Sequence, residues 1–222
     1  MSQVLYGFLQ WCPGAFGLVL RQKIYPRLLG GCGKGVLIGR FVKLVHPQRI
    51  FIGDRVIISN DVTLDASGSD GKTPEIRIEN NVFLGSGTRL FAKRNSISMQ
   101  SGTNIGSSCT ITADVPVYVG KHVLFAAYCN IGTHPPEHSD KTGKNLSDTV
   151  QSAATVVEYG CWLGVRTEVY SGVTVRKESI VGAHSIVDRE VPPWAIVVGQ
   201  PFKVLRYRKK PELHQDIESC VP

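Results

Sequence analysis

Residues 157–191 read VEYGCWLGVRTEVYSGVTVRKESIVGAHSIVDREV. Every sixth residue from Val157 is aliphatic: Leu163, Val169, Val175, Val181 and Val187. Ile, Leu and Val are 58 of 222 residues. Six in a row by chance has odds of roughly one in 3,000 per starting point. Four positions after each aliphatic stand Cys161, Thr167, Val173, Ser179, Ser185 and Val191, all small or β-branched. A period of six matches neither an α-helix nor a plain alternating strand. It matches a short strand and a turn, repeated. One aliphatic and one small residue per hexad face inward, and the others face solvent.

The hexad continues upstream in blocks. Ile38 and Leu44 begin it. Ile52, Ile58 and Leu64 follow, with Val56 and Val62 at the small site. Ile78, Leu84 and Leu90 carry Val82 and Thr88, and Ile105 and Ile111 carry Cys109 and Val115. Val119, Phe125 and Ile131 carry Val123 and Cys129. The phase slips by two at Ile50/Ile52 and Val117/Val119. Three faces per turn would close a triangular coil, and stacked coils bury one aliphatic column. Each coil's amides pair with its neighbours. Six or seven coils account for residues 35–191, between a partly helical apolar segment (1–34) and a C-terminal cap and tail (192–222). Interruptions fall at roughly 66–75, 92–104 and 132–155, and insertions in a solenoid form projecting loops.

Composition sets the outer limits. The chain is 42% hydrophobic and 19% charged, which excludes wholesale disorder. Its net charge is +7. A basic surface favours an anionic partner. No nucleic-acid motif is present, so a phosphorylated ligand is the expected partner. The six cysteines form no CxxC pair, which speaks against a zinc ribbon or redox motif. They read as small buried residues in a reducing cytoplasm. Pro13, Gly14 and Gly17 interrupt the apolar N-terminus, so a spanning helix is not expected. Two readings of this segment stay open. It packs on its own domain or a neighbouring subunit, or residues 1–27 make peripheral contact with the inner face of a membrane, with Arg21, Lys23 and Arg27 toward the headgroups.

The [Ile/Leu/Val]-Gly-x-x-small-x pattern resembles the hexapeptide-repeat acyltransferase family. The stretch CWLGVRTEVYSGVTVRKESIVGAHSIVDREVPPWAIVVGQPFKVLRYR (161–208) is similar to that family's closing pattern almost throughout. Glu158-Tyr159, Lys177-Glu178 and Phe202 depart from it, at turns or at the end. The resemblance implies an all-β, left-handed parallel β-helix, a hand outside the usual crossover rule.

The same resemblance implies the chemistry. Thr133-His134-Pro135, opening a long loop ahead of Trp162-Leu163-Gly164, resembles the galactoside, maltose and other sugar O-acetyltransferases. In that layout His134 is the general base, with His138 as competitor. A neutral imidazole suits removal of a hydroxyl proton during attack on an acetyl-CoA thioester. No Gly-x-Ser-x-Gly elbow is present, which agrees with direct transfer. The resemblance implies a homotrimer with acetyl-CoA between subunits. Trp162, Gly164, Val165, Gly182 and Ala183 would lie along the pantetheine arm, and Lys203 and Arg206 would meet the phosphates.

Leu28–Lys34, His46-Pro47 and Gln151 look like the surface-polysaccharide branch, which acetylates lipopolysaccharide, capsule or exopolysaccharide. Asp114, Glu137 and His138 are candidate acceptor contacts. Three rivals remain at this point. One is an N-acetyltransferase of an amino-sugar or other amine. Another is a metal enzyme resembling the γ-class carbonic anhydrases, using His122, His134 and His138. The last is a non-catalytic scaffold. No metal is expected.

Overall fold

The computed structural model describes residues 7, 9–69, 71, 73–133 and 153–208. Short strands alternate among three parallel sheets in strict rotation. Face A runs from Gly31–Cys32 through Ile50–Ile52, Ile76–Ile78, Ile97–Met99, Val117–Val119 and Thr155–Val157 to Thr174–Val175. Face B starts at Leu37–Ile38 and includes Trp162–Leu163 and Ile180–Val181. Face C starts at Lys43–Val45 and ends at Ile186–Val187. Seven coils therefore stack, and the first begins at Gly31, inside the segment expected to precede the coils.

The hexad has a direct structural cause. The two inward residues of a hexad are buried, as Leu163 and Thr167 are, with Leu44 of the first coil half-buried. Between them the backbone must turn a corner, and the residue just before the small one has positive φ. Arg55, Asp61, Asn81, Ser108, His122, Tyr128, Arg166, Glu178 and His184 all do this, with φ between +52° and +63°. Gly35, Gly87, Gly102, Gly160 and Gly172 fill the same place. The following residue has to be small because it sits in the crook of the turn.

Face A explains the apparent slips of phase. Its three-residue strands bury both ends, as at Ile50/Ile52, Ile76/Ile78 and Val117/Val119. Two inward residues two apart are one strand, not two registers. The second interruption is correspondingly shorter than the spacing suggests. Ile97-Ser98-Met99 is a regular face A strand with Ile97 and Met99 buried. Methionine escaped a search for aliphatic residues.

Both ends of the column are covered. Helix Gly14–Ile24 lies across the first coil. Arg21 is buried there at 3% exposure. Its Nε donates to the carbonyl of Ile38 at 2.9 Å, and one terminal nitrogen donates to Cys12 and Leu9. This corrects its expected place at a membrane surface. The Ile38 carbonyl at the open coil end needs a donor, and Arg21 supplies it while tying the segment at Leu9 and Cys12 to the coil. At the other end, Ala195–Gly199 extends face B, and Phe202–Tyr207 folds back antiparallel against it. No helix among the described residues is long and apolar enough to cross a membrane.

Two opposite stability changes follow. Leu163→Ala should cost about 2–5 kcal/mol in urea unfolding, because the column cannot collapse locally. Ser108→Gly should instead stabilise by about 1 kcal/mol, by relieving a left-handed serine at φ +56°.

Candidate active site

The register makes each face one continuous ladder of outward side chains, and the three ladders differ. Face C presents Lys43, Thr63, Arg89, Thr110, Asn130 and Glu168, a polar row that ends at Ile186, beside a second outward row of Val45, Asp65, Phe91 and Thr112. Face B presents Leu37, Ile57, Phe83, Asn104, Leu124, Trp162 and Ile180, nearly all apolar. Leu124 and Trp162 are 43% and 48% exposed. A monomer rarely leaves such a stripe in water. Face A presents Phe51, Arg77, Ser98, Tyr118 and Val156.

The upper part of face B joins an apolar floor to two cations. Trp162 pairs with Ile180, Ile180 with Ile196, and Ile196 with Arg206. Three strand spacings separate Trp162 from Arg206, about 14 Å. Lys203 pairs with Val198, two residues beyond Ile196, so it shares that face. Residues 203 and 206 would alternate in a regular strand. The register shift at Ile196/Val197 admits one extra residue on the returning strand and restores both cations to one side.

The corner between faces B and C borders this stripe. A Cβ on Gly164 would stand 2.5 Å from the Ala183 amide nitrogen, so the two coils touch there through backbone. The Gly164 and Gly182 amides are spent on the ladder, donating to Val181 at 2.7 Å and Val197 at 2.8 Å. The Val165 and Ala183 amides make no hydrogen bond among the described residues, and both residues are exposed. Of the five residues expected along a pantetheine arm, these two have uncommitted backbone amides, since the Trp162 amide donates to the Ser179 carbonyl.

The corner between faces C and A is on the far side of the coil from face B. All three interruptions of the repeat leave from it. The chain departs at Gly132, where a Cβ would collide with the Thr112 carbonyl oxygen, and φ is +76°. Thr133 then pairs with Tyr170 through a register shift, and its carbonyl accepts from the Ser171 amide at 2.8 Å. Thr133 Oγ1 and Ser171 Oγ are buried with no hydrogen-bond partner among the described residues. A polar group brought to this corner would meet two uncommitted hydroxyls. Asp114 sits at the same corner one coil below, and its carbonyl accepts from the side-chain Nδ2 of Asn95 at 2.7 Å. His134, Glu137 and His138 lie outside the described residues.

Other polar residues have structural occupations. His122 stands at the corner between faces A and B, edge-on to Tyr159 at 5.9 Å. Glu158 is held by Arg176 at 3.1 Å and by the Lys177 amide at 2.8 Å. The thiols of Cys109, Cys129 and Cys161 point at carbonyls of the column. Burial pushes the Cys161 thiol up, and the neighbouring Cys109 thiol together with burial pushes Cys129 up. Neither is a poised thiolate.

Sequence reasoning missed the grooves of face A. One, of about 540 Å³, is lined by Phe51, Arg77 and Glu79. The other, of about 470 Å³, is lined by Gln100, Tyr118, Tyr159 and Lys177. Arg77 stacks on Phe51 at 4.4 Å. Their signal was an outward residue opposite each inward pair, which only the register connects.

No family model matches the chain. It is 25% identical over 170 residues to "Probable acetyltransferase Rv3034c" of Mycobacterium tuberculosis, covering 75% of this chain and 54% of that one. It is 28% identical over 132 residues to the galactoside O-acetyltransferase of Escherichia coli, covering 58% and 59%. A protein named for lipopolysaccharide biosynthesis O-acetyl transfer, WbbJ of Escherichia coli, is 27% identical over 175 residues, covering 75% and 86%. In the first two comparisons the chain spans little more than half the relative's length. Among solved structures, the polysialic acid O-acetyltransferase OatWY superposes with a TM-score of 0.57 at 14% identity, covering 83% of this chain and 93% of that one. AntD, an N-acyltransferase from Bacillus cereus solved with dTDP-4-amino-4,6-dideoxyglucose and coenzyme A, gives 0.55 at 18% identity, covering 86% and 89%. The chain resembles the hexapeptide-repeat acetyltransferases in sequence and has their fold. That fold is the left-handed parallel β-helix.

The contact between Gly164 and Ala183 is a sensitive point of this hexapeptide-repeat column. Gly164→Ala should destabilise the protein by about 1–3 kcal/mol in denaturant unfolding, because backbone has to move. Ala183→Gly, at an exposed turn, should change stability by about 1 kcal/mol or less.

Proposed function

We propose that the protein is an acetyl-CoA-dependent O-acetyltransferase acting on a sugar hydroxyl in surface-polysaccharide biosynthesis. The observation that carries this reading is the face B stripe, an apolar floor at Trp162, Ile180 and Ile196 that ends in Lys203 and Arg206. It suits a donor with an apolar arm and phosphates. The free amides of Val165 and Ala183 would meet the amide-bearing pantetheine arm. Lys203 and Arg206 would meet the phosphates as charge-assisted hydrogen-bond donors. WbbJ and the galactoside enzyme support oxygen as the acceptor atom, and AntD keeps an amine as the second reading. The donor thioester and the unpaired cysteines fit a reducing cytoplasm.

His134 would act as the base. Its imidazole takes the acceptor hydroxyl's proton as that oxygen bonds to the thioester carbonyl carbon. The tetrahedral oxyanion then collapses, the carbon–sulfur bond breaks, and the protonated imidazole returns its proton to the leaving thiolate. Thr133 and Ser171 offer hydroxyls beside the corner from which the chain enters His134. Asp114, Glu137 and His138 remain candidate acceptor contacts, and Tyr118 gives a sugar ring an aromatic plane to stack on.

The chain enters the His134 segment from the corner between faces C and A, across the column from face B and one coil before Trp162. We therefore propose a homotrimer in which the base of one subunit serves the face B stripe of another, and the apolar ladder is covered by that contact. Leu124→Asp should place a charge in this contact and lower the mass measured by light scattering.

Thermal unfolding with acetyl-CoA tests the donor site without knowledge of the acceptor. At 100 times its dissociation constant the donor should stabilise the native state by about 2.7 kcal/mol. Lys203→Ala should weaken that shift. His134→Ala should keep the shift and lose transfer to a sugar acceptor. No shift at millimolar acetyl-CoA would overturn the reading.

A further inference from the structure

The net charge of +7 is not spread over the column. No Asp or Glu precedes Asp54, and residues 1–53 hold seven Lys and Arg. Residues 54–222 hold the other 18 Lys and Arg and all 18 Asp and Glu, so their formal charge is zero. The whole excess belongs to the end that carries the helix and the first coil.

That end is also apolar on its outside. Helix Gly14–Ile24 turns Arg21 and Gly17 inward, and a Cβ on Gly17 would collide with the Cys12 carbonyl oxygen. Its opposite side leaves Phe16 70% and Val19 49% exposed, one turn apart, with Lys23 exposed a turn further on. Trp11 is 59% exposed just ahead of the helix. Phe41 of the first coil is also exposed, beside Arg40, and its amide donates to Gln10. Of the seven cations, only Arg21 is buried.

We propose that this pole docks the protein on an anionic lipid bilayer. Trp11, Phe16 and Val19 enter the headgroup boundary, and Lys23, Arg27 and Arg40 pair with lipid phosphates. Apolar insertion and a basic patch are the two signals that stable peripheral binding requires. A second copy of the same pole is excluded as occupant by charge, since the solvent-accessible cations of one copy would face those of the other with no acid before Asp54 to pair them. Phe16 and Val19 lie one turn apart on the outer side of a helix, with Lys23 a turn further on, which is the apolar-and-basic pattern of an interfacial helix. The column would stand on the membrane by its N-terminal end, with its lateral faces free for the chemistry.

The test is flotation of the full chain with vesicles of phosphatidylcholine, alone or with about 30 mol% phosphatidylglycerol. No acyl donor is present, so the result is independent of acetyl transfer. Binding is expected on the anionic vesicles only, and should be lost near 0.5 M salt, where the Debye length falls to a few Å (about 4 Å). Lys23→Gln with Arg27→Gln should weaken partition about thirty-fold. Trp11→Ser with Phe16→Ser should weaken it at unchanged charge. All four side chains are exposed, so unchanged thermal unfolding of each variant is the folding control. The proposal is overturned by absence of binding at low salt, by equal binding to phosphatidylcholine alone, by insensitivity to either double variant, or by preference for a single-stranded oligonucleotide over the anionic vesicles.

Discussion

Everything in this molecule depends on a backbone corner with positive φ placed directly before a small inward side chain. The corner lets three short strands close a triangle. The small residue lets the next coil settle close enough for the strand amides to pair with their neighbours. Because most corners are not glycine, the chain accepts a strain of about 1 kcal/mol at each, offset by the aliphatic column beneath. A repeat held this way tolerates long excursions at one corner, since the coils above and below fix the register on either side. All three insertions use the corner between faces C and A.

The repeat also sorts the surface. With one inward position fixed per strand, the outward position between corners is free to vary, and each face evolved its own chemistry. Face C is mostly polar but carries Phe91 and Ile186, face B is largely apolar, and face A is mixed, with two grooves. The donor-like stripe and the departure point of the Thr-His-Pro segment stand on different sides of the column, with the stripe starting one coil further along. A single chain is therefore an incomplete site in the proposed mechanism, and the apolar ladder of face B is the surface through which another copy would complete it.

Much of the fold was legible because it is periodic. Val157 to Val191 sufficed for the coil, and the small position predicted burial of Cys109, Cys129 and Cys161 correctly. The paired inward residues of face A looked like slips of phase, because a two-residue spacing inside a six-residue repeat has no meaning until the strand is seen. Met99 hid a coil for a simpler reason, its side chain being outside the aliphatic set. Arg21 read as a surface cation, since sequence does not show that an open coil end leaves carbonyls in need of a donor. Lys203 and Arg206 came from resemblance alone. The bulge that turns both to one face is a register property, invisible in a spacing of three.

The claim at the centre is that the site is shared between copies. Its most direct measurement is acetyl transfer to a sugar acceptor after two inactive variants are dissociated, mixed and reassembled. One would be His134→Ala, and the other Trp162→Ala combined with Lys203→Ala. The account predicts that each is inactive alone and that the mixture regains a fraction of wild-type activity, because some interfaces pair an intact base with an intact donor stripe. A mixture as inactive as its components, with exchange of subunits verified by mass, would contradict it.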